Sequence, residues 1–128
     1  GETPTGEFNF TSCFNPIEKH DDDCITRIQQ YLHHSLQNMA SIPSLAKSAY
    51  MSERTFLRRF KAATGYSPSE YMQRYRIHQA SIALTESLKP IESIAASVGY
   101  EDPSAFRRGF KKLTGLSPSQ FRQSHKND

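Results

Sequence analysis

Apolar residues recur at helical spacing along most of the chain. Ile25, Ile28, Leu32 and Leu36 stand three or four apart and predict a first helix over about residues 22–37. Asp21, Asp22 and Asp23 lie at its start, where negative charge complements the helix dipole. Residues 68–87 carry Met72, Tyr75, Ala80, Ala83, Leu84 and Leu88 at similar spacing, with no glycine and no internal proline. They predict a continuous helix of about eighteen residues, ~27 Å long. Residues 1–20 contain Pro4, Gly6, Asn15 and Pro16 without a helical period, and read as a linker or tail.

The strongest pattern is an internal repeat. FLRRFKAATGYSPSEY (56–71) aligns with FRRGFKKLTGLSPSQF (106–121) at an offset of fifty, with nine of sixteen positions identical. Upstream, Ser44-Leu45-Ala46 matches Ser93-Ile94-Ala95 at an offset of forty-nine, so the second copy has one extra residue between its paired helices. Each copy carries matching punctuation. In the first, Ser41 caps a short helix over 42–49 with Pro43 in its first turn, and Ser52 caps a helix over 53–64 that Gly65 ends. In the second, a short helix covers 91–98, Gly99 makes the turn, and Asp102 and Pro103 start a helix that runs to Thr114 and Gly115. Ser67-Pro68-Ser69-Glu70 and Ser117-Pro118-Ser119-Gln120 are capping boxes. The expected fold is therefore all-α: seven helices, no strands, and two helix-turn-helix subdomains joined by a long linker helix.

Charge sharpens this picture. The chain has 128 residues and a net charge of +3, but residues 1–39 hold two basic and six acidic side chains. Residues 40–126 hold fourteen basic and six acidic, a local net of +8, which suits a polyanionic partner. No apolar run approaches the ~20 residues of a membrane span. The first residue is glycine rather than methionine, as in an excised fragment or processed chain, and GETPTGEF has no signal-peptide character. Cys13 and Cys24 are the only cysteines, too few and too isolated for a zinc site, and two lone thiols suit a reducing cytosol. His33 and His34 are adjacent and read as solvent-facing. No metal set, Ser/His/Asp arrangement or paired carboxylates emerge, so neither catalysis nor a cofactor is expected.

Short helix, tight turn and second helix form the plan in which the second helix enters the major groove of DNA. With Phe56 at 0° and ~100° per residue, Phe60 falls at ~40° and Ala63 at ~340°, forming a buried stripe. Arg54, Lys61 and Arg58 fall at ~160°, ~140° and ~200°, with Leu57 at the edge. In the second copy Phe106, Phe110 and Leu113 form the stripe, Ser104, Lys111 and Arg108 lie opposite, and Arg107 is at the edge. Arginine can bond guanine O6 and N7 bidentately, so Arg58 and Arg108 are the leading base-reading candidates. Arg54, Leu57, Ser104 and Arg107 come second, Leu57 offering only apolar contact to a thymine methyl. Lys61, Lys111 and Lys112 suit phosphates, as do the hydroxyls and N–H groups near Ser52 and Thr55. Arg74 and Arg76 in the connecting helix are ambiguous from sequence, a structural role within the fold being the safer reading.

RTFLRRFKAATGYSPSEYMQRYRI (54–77) and IESIAASVGYEDPSAFRRGFKKLTGLSPSQFR (91–122) closely resemble the AraC/XylS family of bacterial transcription regulators. The likeness covers about residues 22–124. It implies sequence-specific binding of double-stranded DNA, with two recognition helices on one side of the duplex in successive major grooves. Family position matches Arg54, Leu57 and Arg58 to base-facing places of the first recognition helix, and Ser104, Ala105 and Arg108 to those of the second. The domain reading is a tail over 1–20, a first subdomain over 21–67, the connecting helix over 68–87 and a second subdomain over 88–125. The chain looks most like the subgroup with an N-terminal glutamine-amidotransferase-like sensor, which would be missing here. A bacterial cytoplasmic location at the nucleoid and contact with RNA polymerase are implied as well. The competing reading is a helical module that docks on RNA polymerase and touches DNA weakly. One departure stands out: the family often has glycine in the turn of the first unit, where this chain has Tyr50. A left-handed tyrosine would cost roughly 1–2 kcal/mol, so either a looser first unit or a different turn is expected there.

Overall fold

The computed structural model describes residues 20–126. Among these residues there are seven helices and no strand: α1 (Asp23–His33), α2 (Ile42–Ser48), α3 (Glu53–Thr64), α4 (Pro68–Glu86), α5 (Ile91–Ser97), α6 (Pro103–Thr114) and α7 (Pro118–Lys126). The tail expected over residues 1–20 falls almost wholly outside the described residues, as does Cys13. No described helix is long and apolar enough to cross a membrane. Contacts divide between Tyr75 and Arg76 into two compact units.

Capping residues set most boundaries. Ser41 Oγ accepts the Ser44 N–H at the start of α2, and Ser52 Oγ accepts the Thr55 N–H at the start of α3. Asp102 Oδ1 accepts the Ser104 N–H at the start of α6. Each such bond satisfies one of the donors that a helix start leaves unpaired. Gly65 and Gly115 close α3 and α6 with φ of 88° and 84°, the left-handed region glycine enters without steric cost. The repeated threonine has the same role twice. Thr64 Oγ1 lies 2.9 Å from Phe60 O and 3.0 Å from Tyr66 O, and accepts the Tyr66 N–H. Thr114 does this with Phe110 and Leu116. The capping box is reciprocal only in the second copy: Ser117 N–H donates to Gln120 Oε1 and Gln120 N–H to Ser117 Oγ. In the first, Glu70 N–H reaches Ser67 Oγ, but the Glu70 carboxylate pairs forward with Arg74.

The first unit buries Ile25, Ile28 and Leu32 of α1, Leu45 and Ala46 of α2, Phe56 and Phe60 of α3, and Tyr71, Met72 and Tyr75 of α4. Phe60 meets Tyr71 edge-on with centroids 5.4 Å apart. Buried Gln29 is satisfied: its Nε2 donates to the Tyr71 hydroxyl at 3.0 Å, and His20 Nε2 donates to its Oε1 at 2.7 Å. The second unit buries Ile77, Ala80 and Leu84 of α4, Ile94 and Ala95 of α5, Val98 just past its end, Phe106 and Phe110 of α6, and Phe121 of α7. Phe110 meets Phe121 edge-on at 5.3 Å, reproducing the Phe60–Tyr71 contact at an offset of fifty. Arg122 closes the end of α4 by donating to the carbonyls of Leu84, Ser87 and Lys89 at 3.0, 3.2 and 2.8 Å.

Four expectations need correction. The first helix ends at His33, not near residue 37. His34 and Ser35 N–H bond back to Tyr31 and Leu32 carbonyls, and Ser35 Oγ donates to Tyr31 O, which tightens and stops the last turn. Leu36 therefore leaves the buried stripe. The connecting helix has no single stripe: its early turns supply the first core and its later turns the second. Leu88 lies past the helix end and is 86% exposed, and Ala83 is only half-buried. Ala63 and Leu113 are also half-buried, so the phenylalanines carry their helices' burial. His33 is not solvent-facing: it stacks on Tyr75 at 4.1 Å and its Nε2 lies 2.6 Å from the Tyr71 hydroxyl, because the end of α1 packs along α4. His34 is exposed, as expected.

The turn between α2 and α3 keeps its standard form despite Tyr50. Tyr50 sits at φ 59°, and Tyr50 and Met51 N–H groups donate to Lys47 and Ala46 carbonyls. Gly99, at φ 102°, and Tyr100 repeat this pattern onto Ala96 and Ala95. The two turns close with the same pair of hydrogen bonds, and tyrosine bears the left-handed strain where glycine does not.

Candidate nucleic-acid interface

In the first unit α2, the turn and α3 form a helix-turn-helix. Phe56 and Phe60 are fully buried, which fixes the rotation of α3 about its axis. The opposite face then projects outward. Arg54, Arg58 and Lys61 are exposed, and Leu57 is 39% exposed. No ion pair among the described residues engages Arg54, Arg58 or Lys61. Ser52 is exposed at the helix start, its Oγ occupied in capping, and Thr55 is half-buried.

The second unit repeats the arrangement with α5 and α6. Phe106 and Phe110 are fully buried, Ser104, Arg108, Lys111 and Lys112 are exposed, and Ala105 is half-buried. Arg107, Arg108, Lys111, Lys112 and Ser117 line a shallow basic hollow on this unit. Ser117 was not among the sequence candidates, although the repeat already placed it at the start of the next helix. The structure thus brings Arg107, Arg108, Lys111 and Lys112 together on one surface.

Two arginines behave differently from their neighbours. Arg59 grips Asp22 with both ends of its guanidinium, Nε to Oδ2 at 2.9 Å and Nη2 to Oδ1 at 2.8 Å. Asp22 also accepts the Ile25 N–H, so one carboxylate caps α1 and ties it to α3. The guanidinium, above all, holds the Asp22 carboxyl below its usual range. Arg107 Nη2 donates to Glu92 Oε2 at 2.8 Å. Its own backbone N–H first, and Arg107 second, hold the Glu92 carboxyl below the usual range. Sequence reading missed both partners, Asp22 and Glu92, because each lies fifteen or more residues from its arginine. A signal existed: Arg59 faces Gly109 in the repeat, and Glu92 faces Pro43, so neither pair is duplicated. Arg74 and Arg76 are held within the fold as expected. Arg74 pairs with Glu70 and lies 4.7 Å above the Tyr66 ring, and Arg76 is half-buried, its ordinary pKa lowered by desolvation.

Residues 45–124 match the family model described as a helix-turn-helix domain, well over half of the chain. A putative AraC-like transcription regulator of Streptomyces antibioticus is 36% identical over 84 residues. The chain belongs to the AraC-type helix-turn-helix family. The matched segment covers 66% of this chain and 28% of that protein. A second AraC-like regulator, of Streptomyces lividans, is 40% identical over 74 residues, covering 58% of this chain and 24% of that one. The chain therefore spans about a quarter of the length of these curated relatives, which are described as transcription regulators. Among solved structures, the C-terminal domain of AraT, a response regulator from Geobacillus stearothermophilus, superposes with a TM-score of 0.74 at 29% identity over 83% of this chain and 88% of that one. The DNA-binding domain of AdpA, solved in complex with a target DNA, superposes with a TM-score of 0.72 at 31% identity over 83% of this chain and 95% of that one. No group of three or more metal-ligating side chains gathers among the described residues.

Proposed function

We propose that this AraC-type domain binds double-stranded DNA sequence-specifically in transcription regulation, with α3 and α6 as its recognition helices in successive major grooves. The observation that carries the reading is the duplicated exposure of Arg58 and Arg108 on helices whose phenylalanines are locked inward. Similarity to a domain solved on its target DNA supports it. Arg58 and Arg108 read base edges, most effectively guanine. Arg54, Leu57, Ser104 and Ala105 flank them on the base-facing side. Lys61, Lys111 and Lys112, with Ser52 and Thr55 at the start of α3, contact phosphates and position the helices. The connecting helix supports a two-groove reading by its length: nineteen residues span about 28 Å, against ~34 Å between successive major grooves on one face.

The similarities that support this function extend to AraC-like regulators and to a domain solved on its target DNA, not to the glutamine-amidotransferase-like sensor that the resemblance implied. The test is a salt-titrated binding measurement with the chain on a duplex it selects from a randomised pool. Affinity should fall with a log–log slope of several counterions. Arg108→Ala should weaken binding to the selected duplex by about 1–3 kcal/mol and relax base choice in one half-site. Equal loss on selected and random duplex would make Arg108 a phosphate contact. A chain that captured RNA polymerase but showed no salt-dependent duplex binding would be the helical interaction module instead.

A further inference from the structure

The repeat isolates one feature that only the second unit has. Glu92 and Arg107 occupy the positions that Pro43 and Leu57 hold in the first unit. Where the first unit has an imino acid and an apolar side chain, the second has an ion pair closed at 2.8 Å. Glu92 is the only acidic residue in α5 or α6, whereas α6 carries Arg107, Arg108, Lys111 and Lys112. The pair contributes little to the fold. Its side chains are 46% and 61% exposed, and exposed pairs are weak and readily exchanged. A carboxylate beside four cations opposes the approach of any polyanion, so its effect must be sought in what it does to Arg107.

Arg107 stands at the edge of the outward face of α6, unlike Arg108 opposite the phenylalanines; freed there, it is placed for a phosphate rather than for the base edge also expected of it, and phosphate contacts carry no sequence information. Glu92 holds the guanidinium through Nη2. The Nε and Nη1 donors stay available, but the long side chain loses its reach toward the backbone of the duplex.

We propose that Glu92 is a specificity-determining residue of the second unit: by holding Arg107 it withholds a sequence-blind phosphate contact and so suppresses binding to random DNA more than to the selected site. This rests on the DNA-binding reading above. The experiment compares the wild-type chain with Glu92→Gln, Arg107→Ala and the double variant. Each is measured on the selected duplex and on a random duplex across a salt series. Glu92→Gln should raise random-duplex affinity by roughly two- to fivefold, the range open to an exposed ion pair, and steepen the salt slope by about one counterion. Affinity for the selected duplex should change less, so discrimination falls. In the Arg107→Ala background the Glu92 substitution should raise affinity for both duplexes alike, through charge alone, and leave discrimination unchanged. A loss of discrimination in Glu92→Gln that survives undiminished without Arg107 would show plain charge repulsion and overturn the proposal. An unchanged slope and ratio in Glu92→Gln would overturn it too, while leaving DNA binding intact. A wild-type chain without salt-dependent duplex binding would overturn the functional reading itself, and the Glu92 proposal with it.

Discussion

Replacing Tyr50 by glycine should stabilise the first unit. Tyr50 holds φ 59° and its side chain is 96% exposed. Truncation therefore forfeits almost no buried surface, and the N–H bonds of Tyr50 and Met51 to α2 carbonyls remain available. A left-handed L-residue costs roughly 1–2 kcal/mol, and glycine gives back roughly 0.5–1 kcal/mol through its greater unfolded freedom. The net expectation is a gain of about 1 kcal/mol. Gly65 in the same unit supplies the reverse measurement. At φ 88°, with nothing within 4 Å of an added Cβ, Gly65→Ala should cost about 1 kcal/mol from backbone strain alone. Urea unfolding followed by circular dichroism would read both as opposite shifts in midpoint at constant m. In a thermal melt each kcal/mol corresponds to about 4–8 °C for a domain of this size. Tyr50→Ala is the control: it keeps the Cβ and should change little. A Tyr50→Gly chain no more stable than the wild type, or an alanine variant matching the glycine one, would refute the strain argument.

Other outcomes follow from the same contacts. Arg122→Ala should destabilise the second unit by about 1.5–3 kcal/mol, because three carbonyls at the end of α4 lose a charged donor; an unfolding midpoint unchanged from wild type would contradict this. Burial pushes the Tyr71 hydroxyl up to about 12. Its neutral form is favoured in the fold, so the stability it contributes is complete below pH ~10 and is lost as the pH rises toward 12. Burial raises Tyr75 and Tyr100 as well, so a tyrosinate absorbance titration should show a late phase of several tyrosines, which Tyr71→Phe reduces by one. Asp22 is shifted the other way, so its contribution is complete above pH ~4 and is lost as the pH falls through its lowered folded value. Asp22→Asn should be less stable at neutral pH and show a flatter acid limb than the wild type; an identical acid limb would count against the Arg59 pairing.

Much of the fold was legible because its instructions are local. A serine or aspartate cap, a glycine terminator and a proline in the first turn lie within a few residues of what they control. The repeat then allowed each copy to check the other. One error is local, and the others come from long-range partners. Leu36 fits the spacing of α1, yet Ser35 turns back on Tyr31 and stops the helix. His33 looked like a surface residue until Tyr71 and Tyr75, some forty positions on, came alongside. Residues 68–87 read as one amphipathic helix, whereas two cores draw on different turns of it. The site was legible on the same terms. Burial of paired phenylalanines fixed which arginines face outward, but the carboxylates engaging Arg59 and Arg107 could not be read from helical angles.

The sharing of α4 has a kinetic side. Pro68–Tyr75 is eight residues and Arg76–Glu86 eleven, each below the ~12–15 that an isolated helix needs in water. Starting a helix is the unfavourable step, while extending one adds a bond for each residue ordered. Whichever core condenses first therefore seeds the backbone of the other, which has only to elongate. Severing the chain between Tyr75 and Arg76 would force each half to nucleate alone, although no core side chain had been removed.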